Sequence, residues 1–372
     1  MNVGWAHLEA GPEAWDGVAA ALPPFTDRQA VALLLGCEPA AVAVENVWFI
    51  PGRPLQVVYR AGEQFQAVSY GVGVPAVRAL AQDPALPALP GLLDPVRAGA
   101  RVGARVDHVA MLSYLPGERC AVRYRGPGLD VVAKIARRED MAACDARQRM
   151  LYDLPGRAFA IAEPLGVDTD GVRLERALPG ERAEALLGRV AARDLLAALA
   201  AGAVALHAAP IDGLPAAGAR EVLARMRRKT VPRIAEALPA LAPRLEALLE
   251  ELRVTEPAPR RPVAIHGDLH TANVLFDEGL VPAFIDLDNL AAGDPEYDLA
   301  LFASRVMLLG MLACVPVELP AGYGGPDRDR FHWYLAATLV GRQVKTCVRH
   351  LAPGLAARSE GLVARAESVI PR

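Results

Sequence analysis

The chain has 372 residues, 53% of them hydrophobic, with 40 basic and 43 acidic side chains and a formal net charge of −3. That length exceeds one compact core, so two or three subdomains are expected. A pI of about 6.2 leaves no electrostatic footprint for nucleic acid or an anionic membrane surface.

Cys37, Cys120, Cys144, Cys314 and Cys347 are scattered, odd in number and form no CxxC, which suits a reduced cytosol better than secretion. The opening MNVGWAHLEAGPEAW lacks the basic-then-apolar run of a signal peptide. DLLAALAAGAVALHAAP and LALFASRVMLLGMLACVPV fall short of ~20 uninterrupted apolar residues, so both are expected as buried helices of a soluble, cytoplasmic protein with no membrane partner. Only three of the 40 basic residues are lysines, Lys134, Lys229 and Lys345, so a lysine at a chemically useful place stands out.

Along the chain, TDRQAVALLLG (26–36) reads as a short helix capped by Thr26 and stopped by Gly36. From about 46 to 70, β-branched and aromatic residues predict strands around a Pro-Gly turn. LAQDPALPALPGLLDP is proline-rich and reads as a linker or surface loop. A second strand-rich block, DHVAMLSYLPGERCAVRYRGPGLDVVAKIA, repeats features of the first. PGRPLQVVYR (51–60) and PGERCAVRYR (116–125) share five of ten residues, and at this 65-residue offset Lys134 falls opposite Ser69. Duplication of a hairpin and independent use of similar turns both explain the match. REDMAACDARQRMLYDL then begins a mainly helical region. VRLERALPGE reads as a strand and turn, and two further short strands surround residues 263–288. From Pro295 onward the chain reads as helices with a Gly/Pro loop at PAGYGGPDRD. Strands first and helices later is an α+β layout.

The chemistry concentrates in VAIHGDLHTANVLFDEG, residues 263–279, and the following FIDLDN. His266, Asp268 and His270 alternate and could bind zinc on a strand, but Gly267 and Thr271-Ala272-Asn273 suggest a loop, and the other histidines are isolated. DLDNLAAGD lacks the oxygen ligand and glycine that a calcium loop requires. Phosphoryl transfer explains more: it needs a carboxylate for the hydroxyl proton, oxygen ligands for magnesium and a cation on the non-transferred phosphates. Asp268 suits the base, Asn273 and Asp286 suit the metal, and Lys134 at the end of DVVAK suits the phosphates.

HGDLHTANVLF followed by FIDLDNLAAGDPEYDLA resembles the catalytic segment of the aminoglycoside phosphotransferase and choline kinase family, relatives of the protein kinases. The resemblance runs from about 131 to 305 and includes VVAK, LERALPGE and ALHAAP in family order. It implies a two-lobed protein-kinase-like fold with a small β-rich N-lobe (101–177) and a larger helical C-lobe (178–372). An extra N-terminal α/β block (1–100) precedes them. It implies ATP and Mg2+ as cofactors, Asp268 as catalytic base, Asn273 and Asp286 as magnesium ligands, and Lys134 on the phosphates. It also implies that the backbone at Glu175 and Ala177 pairs with adenine as the hinge. His266 is expected to brace the loop, and Asp294 and Asp298 to anchor loop and helix cap. His270 and Asp288 remain candidates for the acceptor side, and His207 for helix packing. Two departures stand out. Where the family places an acid partner for its lysine, this chain offers Asp145 and Asp153, but the best-aligned positions are Arg147, Gln148 and Arg149. The phosphate-covering turn, YLPGERC, has one glycine and no GxGxxG.

From Glu296 to the end there are seven acids and nine bases, which leans against a polycationic acceptor. Tyr297, Tyr323, Phe302, Phe331, Trp333 and Tyr334 are the aromatics open to a choline-like cage. A neutral hydroxyl compound, such as a sugar or other natural product, is the preferred acceptor. The rival reading is a catalytically silent kinase-like binding or regulatory module.

Overall fold

Asp27 opens helix α1 (Arg28–Leu35): its carboxylate accepts from the Ala30 N–H at 3.1 Å, and Gly36 closes the helix in the left-handed region at φ 66°. The cap is therefore Asp27 rather than Thr26. The computed structural model describes residues 5–18, 22–62, 64–137, 140–187, 189–210, 212–310 and 327–371. Cys314, Tyr323 and most of the expected Gly/Pro loop lie outside them.

The chain divides into two units, one of Met1–Asp145, Glu163–Ala177 and Cys347–Ala357, the other of Ala146–Ala162, Leu178–Thr346 and Arg358–Arg372. In the first unit, β1 (Val42–Trp48), β2 (Leu55–Ala61), β3 (Gln64–Tyr70) and β4 (Ala76–Ala79) form an antiparallel sheet in that order. Alternation buries Val57, Tyr59 and Val68, and the Tyr59 hydroxyl donates to the Phe25 carbonyl at 2.7 Å, with the Tyr70 hydroxyl 2.8 Å away.

The proline-rich stretch is not a surface loop. It forms α2 (Leu89–Leu93) and α3 (Pro95–Val102), and Leu80, Leu86, Leu89 and Leu92 are buried in the unit's core. Pro90 and Pro95 sit in the first turns of α2 and α3, where a missing N–H costs nothing, and Asp94 caps α3 through the Val96 and Arg97 amides.

The second sheet has the order β5-β6-β7-β10-β9: β5 (His108–Leu115), β6 (Arg119–Gly126), β7 (Leu129–Ala136), β9 (Pro164–Val167) and β10 (Arg173–Arg176). Between β7 and β9 come α4 (Met141–Tyr152) and β8 (Ala160–Ile161). The two hairpins share their register at the 65-residue offset: Gln56 pairs with Ser69, and Ala121 pairs with Lys134. Each also carries a register shift in its first strand, between Val44 and Asn46 and between Met111 and Ser113. Val58, Ala67 and Leu80 share one core with Val122, Tyr124 and Val131. The first unit thus holds residues 1–100 together with β5, β6 and β7.

The second unit takes in most of α4 and all of β8, then β11 (Glu181–Arg182), α5 (Ala183–Leu186), α6 (Ala192–His207), α7 (Ala219–Arg225), α8 (Val231–Ala237) and α9 (Ala242–Val254). Then come β12 (Val263–Ile265), β13 (Val274–Phe276), β14 (Pro282–Phe284) and β15 (Ala291–Gly293). The helices α10 (Pro295–Leu308), α11 (Arg328–Thr338), α12 (Lys345–Arg349) and α13 (Leu355–Val369) follow, the last two partly in the first unit. Strands β11, β13, β14 and β8 form one small sheet, and β12 pairs with β15 in another. Among the described residues, no helix is long and apolar enough to cross a membrane.

Candidate active site

The loop after β12 is fixed before any functional group is considered. Both oxygens of Asp298, in the first turn of α10, accept backbone N–H groups from the loop: His266 at 2.7 Å and Gly267 at 2.9 Å. The His266 ring nitrogen Nε2 lies 3.0 Å from the Ile285 carbonyl and ties the loop to the end of β14. Gly267 has φ 74°, and a Cβ there would stand 2.2 Å from the Asn289 carbonyl oxygen, so no other residue fits. His207, expected only to pack, also reaches Asp298, at 3.3 Å. Asp294 stands at the N-cap of α10 as expected, but its carboxylate is turned to other partners: it accepts from Arg330 at 2.9 Å, Tyr334 at 2.6 Å and Arg260 at 3.2 Å.

This frame brings Asp268, Asn273 and Asp286 together. The Asn273 amide nitrogen donates to the Asp268 carbonyl at 3.0 Å, and the Asn273 carbonyl accepts from the Ile285 N–H at 3.0 Å. The residue after Ile285 is Asp286, which adopts a left-handed backbone at φ 63°, a strained state for a non-glycine residue. The first bond turns the Asn273 side-chain oxygen away from its neighbours. That oxygen is buried with no hydrogen-bond partner among the described residues. A buried acceptor left so is costly unless a donor or cation meets it. An amide oxygen and a carboxylate fit a hard divalent cation that completes its shell with phosphates and water. Among the described residues no group of three or more His, Cys, Asp or Glu side chains is placed to hold a metal.

Three further groups surround Asp268. Arg342, from a π-helical turn at Leu339–Val344, ion-pairs with the Asp268 carboxylate. The His270 Nε2 lies 3.8 Å from the same oxygen, while its Nδ1 accepts from the Ala272 N–H at 3.2 Å. Burial, reinforced by Arg305 and His266, pushes the His270 imidazole down to about 3. Glu184 accepts from the Thr271 hydroxyl at 2.9 Å and from Arg305 at 2.9 Å, pinning the far side of the loop. The Asp288 carbonyl accepts from Arg147 at 3.2 Å. Arg342, Glu184 and Arg305 were missed because each is distant in sequence and carries no local motif.

In the first unit, Lys134 and Arg173 are cross-strand partners on β7 and β10, so Lys134, Arg173 and Glu175 share one sheet face. The Glu175 carboxylate meets Lys134 at 2.9 Å and Arg173 at 2.8 Å, all three with little exposure. Glu175, expected to act through its backbone, thus also supplies an acid for Lys134 through its side chain. The Ala177 N–H, expected to face adenine, donates instead to the Asp130 carbonyl at 2.9 Å, because β10 continues its pairing with β7 to that point. The turn between β5 and β6 is likewise occupied. Asp83, 2% exposed, accepts from the Gly117 N–H at 2.6 Å and the Tyr114 hydroxyl at 2.8 Å, and the Glu118 N–H donates to Leu115.

Tyr297, Phe302, Phe331, Trp333 and Tyr334 are all buried in the helical core, so these five cannot form a cage for a quaternary ammonium.

A model of the family described as the phosphotransferase enzyme family matches residues 117–334. A thermostable mutant of aminoglycoside phosphotransferase APH(4)-Ia superposes with a TM-score of 0.55 at 18% identity, over 73% of this chain and 96% of that one. Its D198A variant, in a ternary complex with ADP and hygromycin B, gives 0.53 at 17% identity, over 74% and 97%. A choline/ethanolamine kinase family protein from Mesorhizobium loti gives 0.50 at 19% identity, over 75% and 92%. At such identities the likeness is one of fold, the α+β fold of these kinases. No curated protein sequence matches the chain.

Proposed function

Because this chain belongs to the phosphotransferase enzyme family, we propose that it moves the γ-phosphoryl group of ATP, with magnesium, onto a hydroxyl of a small molecule. The observation that carries this reading is the buried Asn273 oxygen, without a hydrogen-bond partner, on the loop that presents Asp268. Asn273 and Asp286 would hold magnesium, which when bound neutralises charge on the β- and γ-phosphates. Lys134, oriented by Glu175, would meet the non-transferred phosphates. Asp268 accepts the proton of the acceptor hydroxyl as its oxygen attacks the γ-phosphorus. The His270 N–H, on a ring kept neutral, stands beside the carboxylate without adding charge.

Transfer from γ-labelled ATP to a mixed pool of hydroxyl compounds tests the reading. Asp268→Asn is expected to lower transfer by about 10²–10⁴-fold and to leave ATP affinity near wild type. Near-normal transfer by that variant would remove Asp268 from the role of base. One observation favours the silent module: the Gly117 and Glu118 amides already have partners within the protein. Tight ATP binding without turnover in the same assay would decide for it.

A further inference from the structure

A base has to offer its oxygen to the incoming hydroxyl, yet the Asp268 carboxylate is already engaged by the Arg342 guanidinium. The backbone beneath Arg342 is fixed. Gln343 donates to the Ser304 hydroxyl of α10 at 2.9 Å, Thr338 donates to the Ala300 carbonyl at 3.3 Å, and a Cβ at Gly341 would lie only 3.3 Å from Met226. The segment winds as a π-helix, a form whose extra residue per turn redirects a side chain and recurs at functional sites. Arg342 is nonetheless 29% exposed, so its side chain can swing while its Cα stays put.

A cationic acceptor would have to set an ammonium against this guanidinium. The other acid beside the loop, Glu184, is already bound to Arg305 and Thr271. An anionic group on the acceptor meets the opposite situation, since it offers the guanidinium a new bidentate partner as the hydroxyl arrives at Asp268.

We propose that Arg342 reads the acceptor: the acceptor carries a carboxylate or phosphate ester near the hydroxyl, and that anion draws the guanidinium off Asp268. The inference rests on Asp268 being the base. Arg342 acts in two ways, as a clamp on the base until the acceptor binds and as the acceptor's contact afterwards.

Hydrolysis of ATP tests it without knowing the acceptor. The water oxygen bonds to the γ-phosphorus, the bond to the β–γ bridging oxygen breaks, ADP leaves with the electron pair, and the water proton passes to Asp268. ADP release would be measured at saturating MgATP for the wild type, Arg342→Gln and Arg342→Lys. Each would be assayed alone, with acetate, with methyl phosphate and with choline chloride at matched ionic strength. Since a positioned base contributes about 10²–10⁴-fold, releasing it in the wild type should raise ADP release about tenfold with one of the two anions. The stronger of acetate and methyl phosphate names the acceptor's anion. Arg342→Gln should hydrolyse at the stimulated rate unaided and ignore the anions, while Arg342→Lys should keep a weaker response. The proposal is overturned if wild-type turnover ignores both anions or rises with choline, or if Arg342→Gln is slower than the wild type. ATP that binds but is hydrolysed under no condition overturns it too. Absence of ATP binding in calorimetry would instead remove the phosphotransferase reading, and this inference with it.

Discussion

The two hairpins of the first unit are the same scaffold used twice. At a 65-residue offset they share register, and they have a common core, yet where the second has Lys134 the first has Ser69. The Gln56 amide donates to the Ser69 hydroxyl at 2.7 Å, a neutral cross-strand pair that satisfies itself. Lys134 instead belongs to a chain of charges with Glu175 and Arg173 on the neighbouring strand β10, where the first sheet's neighbouring strand β4 sets only Ala76 opposite Ser69. Sheet geometry alone therefore does not place a cation here. On the proposed reading, the phosphate contact requires a cation held by a buried acid on a neighbouring strand.

Exchanging the residues at this position should break the contrast most strongly. Lys134→Ser is expected to lower kcat/KM for ATP by about 10²–10³-fold with the fold intact by circular dichroism, as loss of one preorganised charge contact does elsewhere. Ser69→Lys should leave ATP affinity unchanged. A gain of affinity in that variant would mean that the first sheet also faces nucleotide.

A smaller effect is expected where the first half of the unit reaches into the second. Asp83 accepts from Gly117, Tyr114 and Ala85, and Asn offers one acceptor oxygen where the carboxylate offers two. Asp83→Asn should cost about 1–3 kcal/mol in chemical denaturation and raise KM for ATP as the turn loosens. Unchanged KM would separate the turn from nucleotide binding.

The smallest effect concerns the Asp268 loop of the second unit. His270 is pushed below its ordinary value of 6.5 to about 3 by burial, with Arg305 and His266 adding to it. The unfolded chain therefore takes up a proton that the folded chain refuses, so stability is full above pH 6.5 and falls as pH drops toward 3. The melting temperature should decline between pH 7 and pH 5, and less steeply in His270→Asn. Equal slopes would place the acid sensitivity elsewhere.

Much of this was legible from the chain because the signals are local. Alternating residues marked both hairpins, and the spacing of His266, Asp268, Asn273 and Asp286 marked a loop whose members the structure brings together. What was not legible depended on partners far away in sequence. Prolines hid the spacing of Leu86, Leu89 and Leu92, which only the second sheet explains as core. Glu175 became the acid beside Lys134 through cross-strand register, and Ala177 lost its amide to Asp130 for the same reason. Arg342 stands 74 positions beyond Asp268, in a stretch that showed nothing but helical character.

Calorimetric titration with ATP, with and without magnesium, on the wild type and on Asp286→Asn tests the central claim most directly. The account predicts binding that depends on magnesium and weakens at least tenfold, about 1.4 kcal/mol, in the variant. Folded wild-type protein that binds no ATP, or a variant that binds MgATP as tightly as the wild type, would contradict it.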